Sequence, residues 1–285
     1  MSRWKIGDVT VTKVRELETT GGSRFLLPQA TREAILPIAW LRPHFADDEG
    51  RLRMSIHAFL VETPTRRVLV DTCLGNDKQG RRIPGWNGLN TRFLADLAAA
   101  GAPRESIDTV LCTHLHVDHV GWNTMQRDGA WVPTFPNARY LMGRTEYAHW
   151  TGPHGRDDLR AVFADSVAPV FDAGLVDLVA TDHRICEELS LVPTLGHTPG
   201  HVSLRIESRG EQGLITGDFV HHPCQIAHPE WSSTADSDPA EARRTRERMF
   251  AALAGAPVLV LGTHFAGATA GRIVRDGAAW RLEVS

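Results

Sequence analysis

The segment Thr113-His114-Leu115-His116-Val117-Asp118-His119 follows directly on the apolar run Thr109–Cys112. Three imidazoles and a carboxylate within six positions put four metal-competent groups at the end of a strand. Successive strand residues point to opposite faces, so His114 and His116 share a side. The turn that follows can bring Asp118 and His119 round to a second position nearby. Imidazole and carboxylate together suit zinc, manganese, iron or cobalt rather than calcium. Histidine is also the unusual count in the chain, 14 residues unevenly spread.

Three further segments repeat the context of a polar residue just after an apolar strand: Gly196-His197-Thr198-Pro199-Gly200-His201, Thr216-Gly217-Asp218 and Gly262-Thr263-His264. A lone His or Asp at such a place is more often a cap or a turn residue. Together they supply three more ligands from the strand ends of one sheet face, and seven ligands suit two metals with open positions. Strand-length apolar segments at Val9–Val14, Ile56–Val61, Val68–Asp71, Arg139–Met142, Leu189–Pro193, Val202–Ile206, Leu214–Thr216 and Val258–Leu261 recur between turn residues. Helices are predicted over Thr91–Ala100 and Pro239–Ala254, the second capped by Asp238. A hairpin turn is read at Arg275-Asp276-Gly277-Ala278. This mixture favours one α/β domain over residues 1–285. Two stretches resist assignment, an extension at about 20–53 and an insertion at about 151–177 with a short helical patch at Leu159–Phe163. They are read as pocket walls or as an oligomer contact.

Composition narrows the function. With 31 basic against 34 acidic residues, no basic excess exists to drive nucleic-acid binding, and no polybasic segment suggests an anionic membrane. The apolar runs fall short of a membrane span, and the N-terminus lacks the apolar stretch of a signal peptide. A cytoplasmic protein is expected. Cys73, Cys112, Cys186 and Cys224 are too far apart for a zinc knot or a disulfide framework. There is no G-x-S-x-G elbow to support serine nucleophile chemistry, and no Gly-rich phosphate loop. Aromatic residues near the motifs, Trp122, Phe219 and Trp231, are expected to line the pocket; two of them facing the metals would suit a bulky apolar acyl group.

The four motifs, in this order and with these gaps, resemble the metallo-β-lactamase superfamily from about Ile56 to Leu261. The resemblance implies a four-layer αββα sandwich with a dinuclear site between the sheet edges. It implies that His114, His116 and His197 hold one divalent ion, that Asp118, His119 and His264 hold the other, and that Asp218 bridges both. Zinc is the expected metal, with manganese, iron or cobalt as substitutes. Asp71, in Val70-Asp71-Thr72, would support the ligands from behind; a plain turn cap is the alternative. A water shared by the two ions would be ionised near neutral pH and serve as the nucleophile. Asp118 would orient it and pass its proton to the leaving group.

Within the superfamily, the long N-terminal region is most like the acyl-homoserine lactonase and methyl parathion hydrolase group. Those lactonases carry a Tyr three residues after the bridging Asp, where this chain has His221 followed by His222. His221 would keep a polar donor near the metals, and His222 would lie beside it; exposed loop residues are the alternative. The expected activity is cleavage of an ester, lactone or organophosphate, as in quorum quenching, with a homodimer formed through residues 20–53. The alternatives are a mononuclear iron enzyme of the persulfide dioxygenase type, or β-lactam or thioester hydrolysis on the same fold.

Overall fold

Apolar side chains alternate across the central strands and sort themselves into three layers of core. The structure is a computed structural model and describes residues 1–152 and 157–284. Seven strands form one sheet: β1 (Arg3–Ile6), β2 (Val9–Thr20), β3 (Arg53–Glu62), β4 (Arg67–Val70), β5 (Thr109–Leu111), β8 (Arg139–Gly143) and β9 (Val176–Val179), hydrogen-bonded in that order. Between β5 and β8 the chain makes a separate hairpin of β6 (Thr124–Arg127) and β7 (Ala130–Pro133). The second sheet runs in chain order through β10 (Leu189–Pro193), β11 (Val202–Ser208), β12 (Glu211–Ile215), β13 (Val258–Leu261), β14 (Ala270–Asp276) and β15 (Ala279–Glu283). Pairing is parallel from β4 through β9 and between β12 and β13, and antiparallel elsewhere within the sheets.

The strand period of two explains the layering. Phe59, Val61, Val68, Val70 and Leu111 of the first sheet meet Leu191, Val202, Leu204, Ile206 and Ile215 of the second in a shared core between the sheets. The opposite faces carry Leu60, Leu69, Val110 and Tyr140 on one side, and Leu214, Val260 and Ile273 on the other. Helices cover those outer faces. They are α1 (Arg32–Ile35), α2 (Phe93–Ala99), α3 (Val117–Val120), α4 (Arg144–Thr151), α5 (Asp157–Val162), α6 (Ala168–Asp172), α7 (Cys224–Ala227) and α8 (Pro239–Leu253). At the start of α8 the Asp238 side chain accepts from Glu241 N at 3.0 Å, and Pro239 takes the first helical position. The result is the αββα sandwich.

Both unassigned stretches gain structure. Residues 20–53 turn Leu27, Ile35, Leu41, Phe45 and Leu52 inward against Phe219, Val220, Ile226, Phe250 and Phe265, so this segment closes one outer core. In the 151–177 stretch, residues 153–156 lie outside the described residues. From Asp157 onward it is helical: α5, a π-helical turn at Phe163–Val167, then α6. Pro169 stands in the first turn of α6, directly after the π-helical turn. Among the described residues no helix is long and apolar enough to cross a membrane.

The topology delivers the chemistry to one edge. Asp71 follows β4, His114 follows β5, His197 follows β10, Asp218 follows β12 and His264 follows β13. Val202 N donates to Thr113 O at 3.1 Å and Ser55 N to His264 O at 3.0 Å, so the two sheets are stitched together at this rim.

Candidate metal centre

His114 and His116 leave β5 on the same side, and the chain then turns into the short helix α3, which carries Asp118 and His119. His197 arrives from the second sheet. Its Nε2 lies 3.2 Å from His114 Nε2 and 3.0 Å from His116 Nδ1. Burial, reinforced by the neighbouring imidazoles, holds His114 and His116 well below the ordinary histidine range. They are therefore neutral, with lone pairs free to face a common point.

A single carboxylate oxygen occupies the middle. Asp218 Oδ2 stands 3.1 Å from His264 Nε2, 3.3 Å from His119 Nε2, 3.3 Å from His221 Nε2, 3.7 Å from His197 Nε2 and 3.9 Å from His114 Nε2. Gly217 sets this aim: its φ is +56°, and a Cβ there would come within 2.5 Å of His201 Nε2. Burial disfavours the Asp218 charge, but the imidazoles of His264, His119 and His221 overcome it and hold the carboxyl well below its usual range. His119 shows the converse: burial opposes its charge, and Asp218, Asp71 and Asp118 raise it well above the ordinary value. Asp118 closes the second group, 3.6 Å from both His119 Nε2 and His264 Nε2.

The donor set fits metal ions. Asp218 Oδ1 and His119 Nε2 are buried and lack hydrogen-bond partners, a cost that proteins rarely bear without a ligand. The ligand atoms of His114, His116 and His197 lie within 4.8 Å of one another, as do those of Asp118, His119 and His264, and those of His114, His119 and Asp218. The seven residues that the resemblance implies as ligands are thus brought together, in two groups that meet at Asp218.

Behind the donors stand residues that orient them. Asp71 Oδ2 pairs with His119 Nδ1 at 2.9 Å, while its Oδ1 accepts from Thr113 N at 2.8 Å. His264 Nδ1 pairs with Ser55 O at 3.0 Å, and Asp218 N donates to His201 Nε2 at 2.7 Å. Among the acids absent from the sequence reading are the buried Glu146 and the half-buried Glu16. Glu146 of α4 accepts from Leu115 N at 3.2 Å, Gly200 N at 3.0 Å and Trp150 Nε1 at 2.5 Å, tying the two histidine loops together. Glu16 accepts from Leu74 N, Trp122 Nε1 and Thr91 Oγ1, aimed by a register shift in β2 between Arg15 and Leu17. Glu146→Ala is expected to cost about 3 kcal/mol or more, because three buried donors lose their acceptor. Denaturant unfolding of the two proteins checks this.

Two of the expected pocket aromatics, Trp122 and Phe219, lie in the core. Trp122 is in the core, stacked on Phe93 at 5.7 Å, because its indole N–H turns to Glu16. Phe219 packs against Phe250 in the core behind the second sheet. Trp231 is half-buried with its ring stacked on His228 at 4.2 Å. Trp150 meets the centre, 5.4 Å from the His116 ring. His221 faces Asp218, but His222 turns away: its Nε2 pairs with Phe45 O at 2.8 Å and its Nδ1 accepts from Cys224 N.

Burial lowers the His222 pKa to about 4. Above pH 6.5 folded and unfolded chains are both neutral there. Below it, the unfolded chain takes up a proton that the folded chain refuses, so stability falls with pH. The loss expected between pH 7 and pH 5 is about 2 kcal/mol, absent in His222→Gln. Denaturation midpoints at the two pH values measure it.

The sequence profile of the metallo-beta-lactamase superfamily matches residues 51–264. The chain belongs to the metallo-β-lactamase superfamily. Among curated members, an N-acyl homoserine lactonase of Bacillus sp is 26% identical over 169 residues, covering 55% of this chain and 60% of that protein. Another N-acyl homoserine lactonase, from Bacillus cereus, is 26% identical over 176 residues, 58% of this chain and 62% of its own. The aligned chain spans about three fifths of the length of these relatives. Among solved structures, hydrolase AbOPH of the β-lactamase superfamily superposes with a TM-score of 0.80 at 26% identity, covering 98% of this chain and 95% of that one. AidC, a dizinc quorum-quenching lactonase in complex with a product, gives a TM-score of 0.81 at 19% identity over 100% of this chain and 97% of its own, a likeness of fold.

Proposed function

We propose that this protein is a dinuclear metal-dependent hydrolase of lactones and related esters. The observation that carries the reading is the Asp218 carboxylate oxygen ringed by imidazole nitrogens from two donor groups. The curated relatives named N-acyl homoserine lactonases support the substrate class. His114, His116 and His197 would hold one dication, and Asp118, His119 and His264 the other, with Asp218 between. When bound, such a pair supplies Lewis-acid polarisation of a carbonyl oxygen and a water acidic enough to attack at neutral pH.

The chain's own groups do the rest. Asp118 is the ligand carboxylate most open to solvent, 16% exposed against 4% for Asp218. It would take a proton from the attacking water and return it to the departing alkoxide. Burial lowers the His221 pKa despite the opposing pull of Asp218, so the ring is neutral and has one N–H. Its Nε2 is the nitrogen at the centre, and Nε2–H would donate to the substrate oxygen as charge builds on it. Trp150, beside His116, gives the rim an apolar wall. The four cysteines are unpaired, which supports a reducing, cytoplasmic setting.

The test is turnover of N-acyl homoserine lactones, aryl esters, phosphotriesters, thioesters and β-lactams by metal-loaded and chelated protein. Lactones or esters should give the highest kcat/KM, lost on chelation and restored by zinc or cobalt. One bound iron with oxygen uptake, or no ester turnover at full metal loading, overturns the reading. His221→Phe should lower kcat by about 100-fold with metal content unchanged; metal analysis beside steady-state kinetics checks it.

A further inference from the structure

The chain after α7 returns to the centre through Asp236, which belongs to none of the motifs. Its buried carboxylate pairs through Oδ1 with His197 Nδ1 at 3.0 Å and accepts from Ser233 N through Oδ2 at 3.0 Å. Arg246 of α8, fully buried, stands 3.4 Å from Oδ2. The guanidinium is itself fixed, with Nε donating to Pro229 O at 2.9 Å and Nη2 to Ser232 Oγ at 3.1 Å. The backbone closes around the same histidine: Ser237 N donates to His197 O at 2.8 Å and Asp238 N to Gly196 O at 2.9 Å. Gly196 permits this approach, since a Cβ there would lie 2.1 Å from Ala242 N.

An imidazole that gives its Nδ1–H to a carboxylate is locked in one tautomer and one ring orientation, with the Nε2 lone pair free. Here that lone pair faces His114 and His116. An apolar pair of similar volume would fill the space under α8 at less desolvation cost. What the charged pair adds is the hold on His197. Asp71 makes the matching bond to His119 on the opposite flank.

We propose that Asp236, braced by Arg246, is the positioning residue for His197 and so sets the metal affinity of the three-histidine group. This rests on the metal-centre reading above. The test titrates apo protein with zinc and with cobalt against a chromophoric chelator, in the absence of substrate. Asp236→Ala should bind about 10- to 100-fold more weakly, and the visible bands of the cobalt form should shift. Asp236→Asn, whose amide oxygen still accepts from Nδ1 without the charge, should fall between it and wild type. A purely structural role would lower the melting temperature of the apo protein while leaving affinity within about twofold and the cobalt bands unmoved, and that result overturns the proposal. Where Asp236→Ala does not fold, the same two readouts on Asp236→Asn decide. Wild-type protein that binds neither ion would overturn the metal-centre reading itself.

Discussion

Asp218→Ala should remove metal binding and turnover together, with activity falling about 1000-fold or more. The reason is the position of one oxygen. Five imidazole nitrogens lie between 3.1 and 3.9 Å from Asp218 Oδ2. If Asp218 bridges two ions as proposed, its loss takes a shared anionic ligand from both donor groups, and ions of like charge would have to sit near one another without the carboxylate that screens them. The fold should persist, because the strand ends are held by β12 pairing with β11 and β13, which the side chain does not enter. Metal analysis after dialysis, circular dichroism and lactone turnover make the measurement. Two ions per chain with turnover within tenfold of wild type would remove Asp218 from the bridging role.

What could be read from the chain was the part written locally. β4 and β5 are short, and their apolar runs Val68-Leu69-Val70 and Val110-Leu111 are buried, so they stood out, and the ligand motifs begin one to three residues after β5, β10, β12 and β13. The second half of β2 did not stand out. Its register shifts between Arg15 and Leu17, and beyond that point polar residues face solvent. The β6–β7 hairpin has an Asp128-Gly129 turn with both residues at positive φ, but its flanks, Thr-Met-Gln-Arg and Ala-Trp-Val-Pro, lack an apolar alternation.

The residues behind the ligands were hidden for a different reason. Glu146 and Asp236 act on loops 54 and 39 positions away, and neither has a neighbour in sequence that marks it. Their roles exist only once the sheets have closed. Spacing also misdirected the aromatics. Trp122 is three residues from His119, but after α3 the chain turns the indole away to Glu16. Trp150, far along the chain on α4, is brought to His116 by the packing of that helix on the rim.

Asp118→Asn should lower kcat about 100- to 10,000-fold on alkyl lactones while KM changes little. Asparagine keeps the shape of the side chain and one of its two oxygens; in Asp118, Oδ1 stands 3.6 Å from His119 Nε2 and Oδ2 3.6 Å from His264 Nε2. It removes the charge and the ability to carry a proton. Metal content must be matched before comparison, since Asp118 also belongs to the second donor group. The leaving group then separates the two roles. If the carboxylate protonates the departing oxygen, the loss is large for an alkoxide and small for a p-nitrophenolate, which departs without a proton. If Asp118 only holds an ion, both substrates suffer alike. A uniform loss across leaving groups at full metal loading, or a kcat within threefold of wild type, would end the proton-transfer assignment and leave Asp118 a ligand.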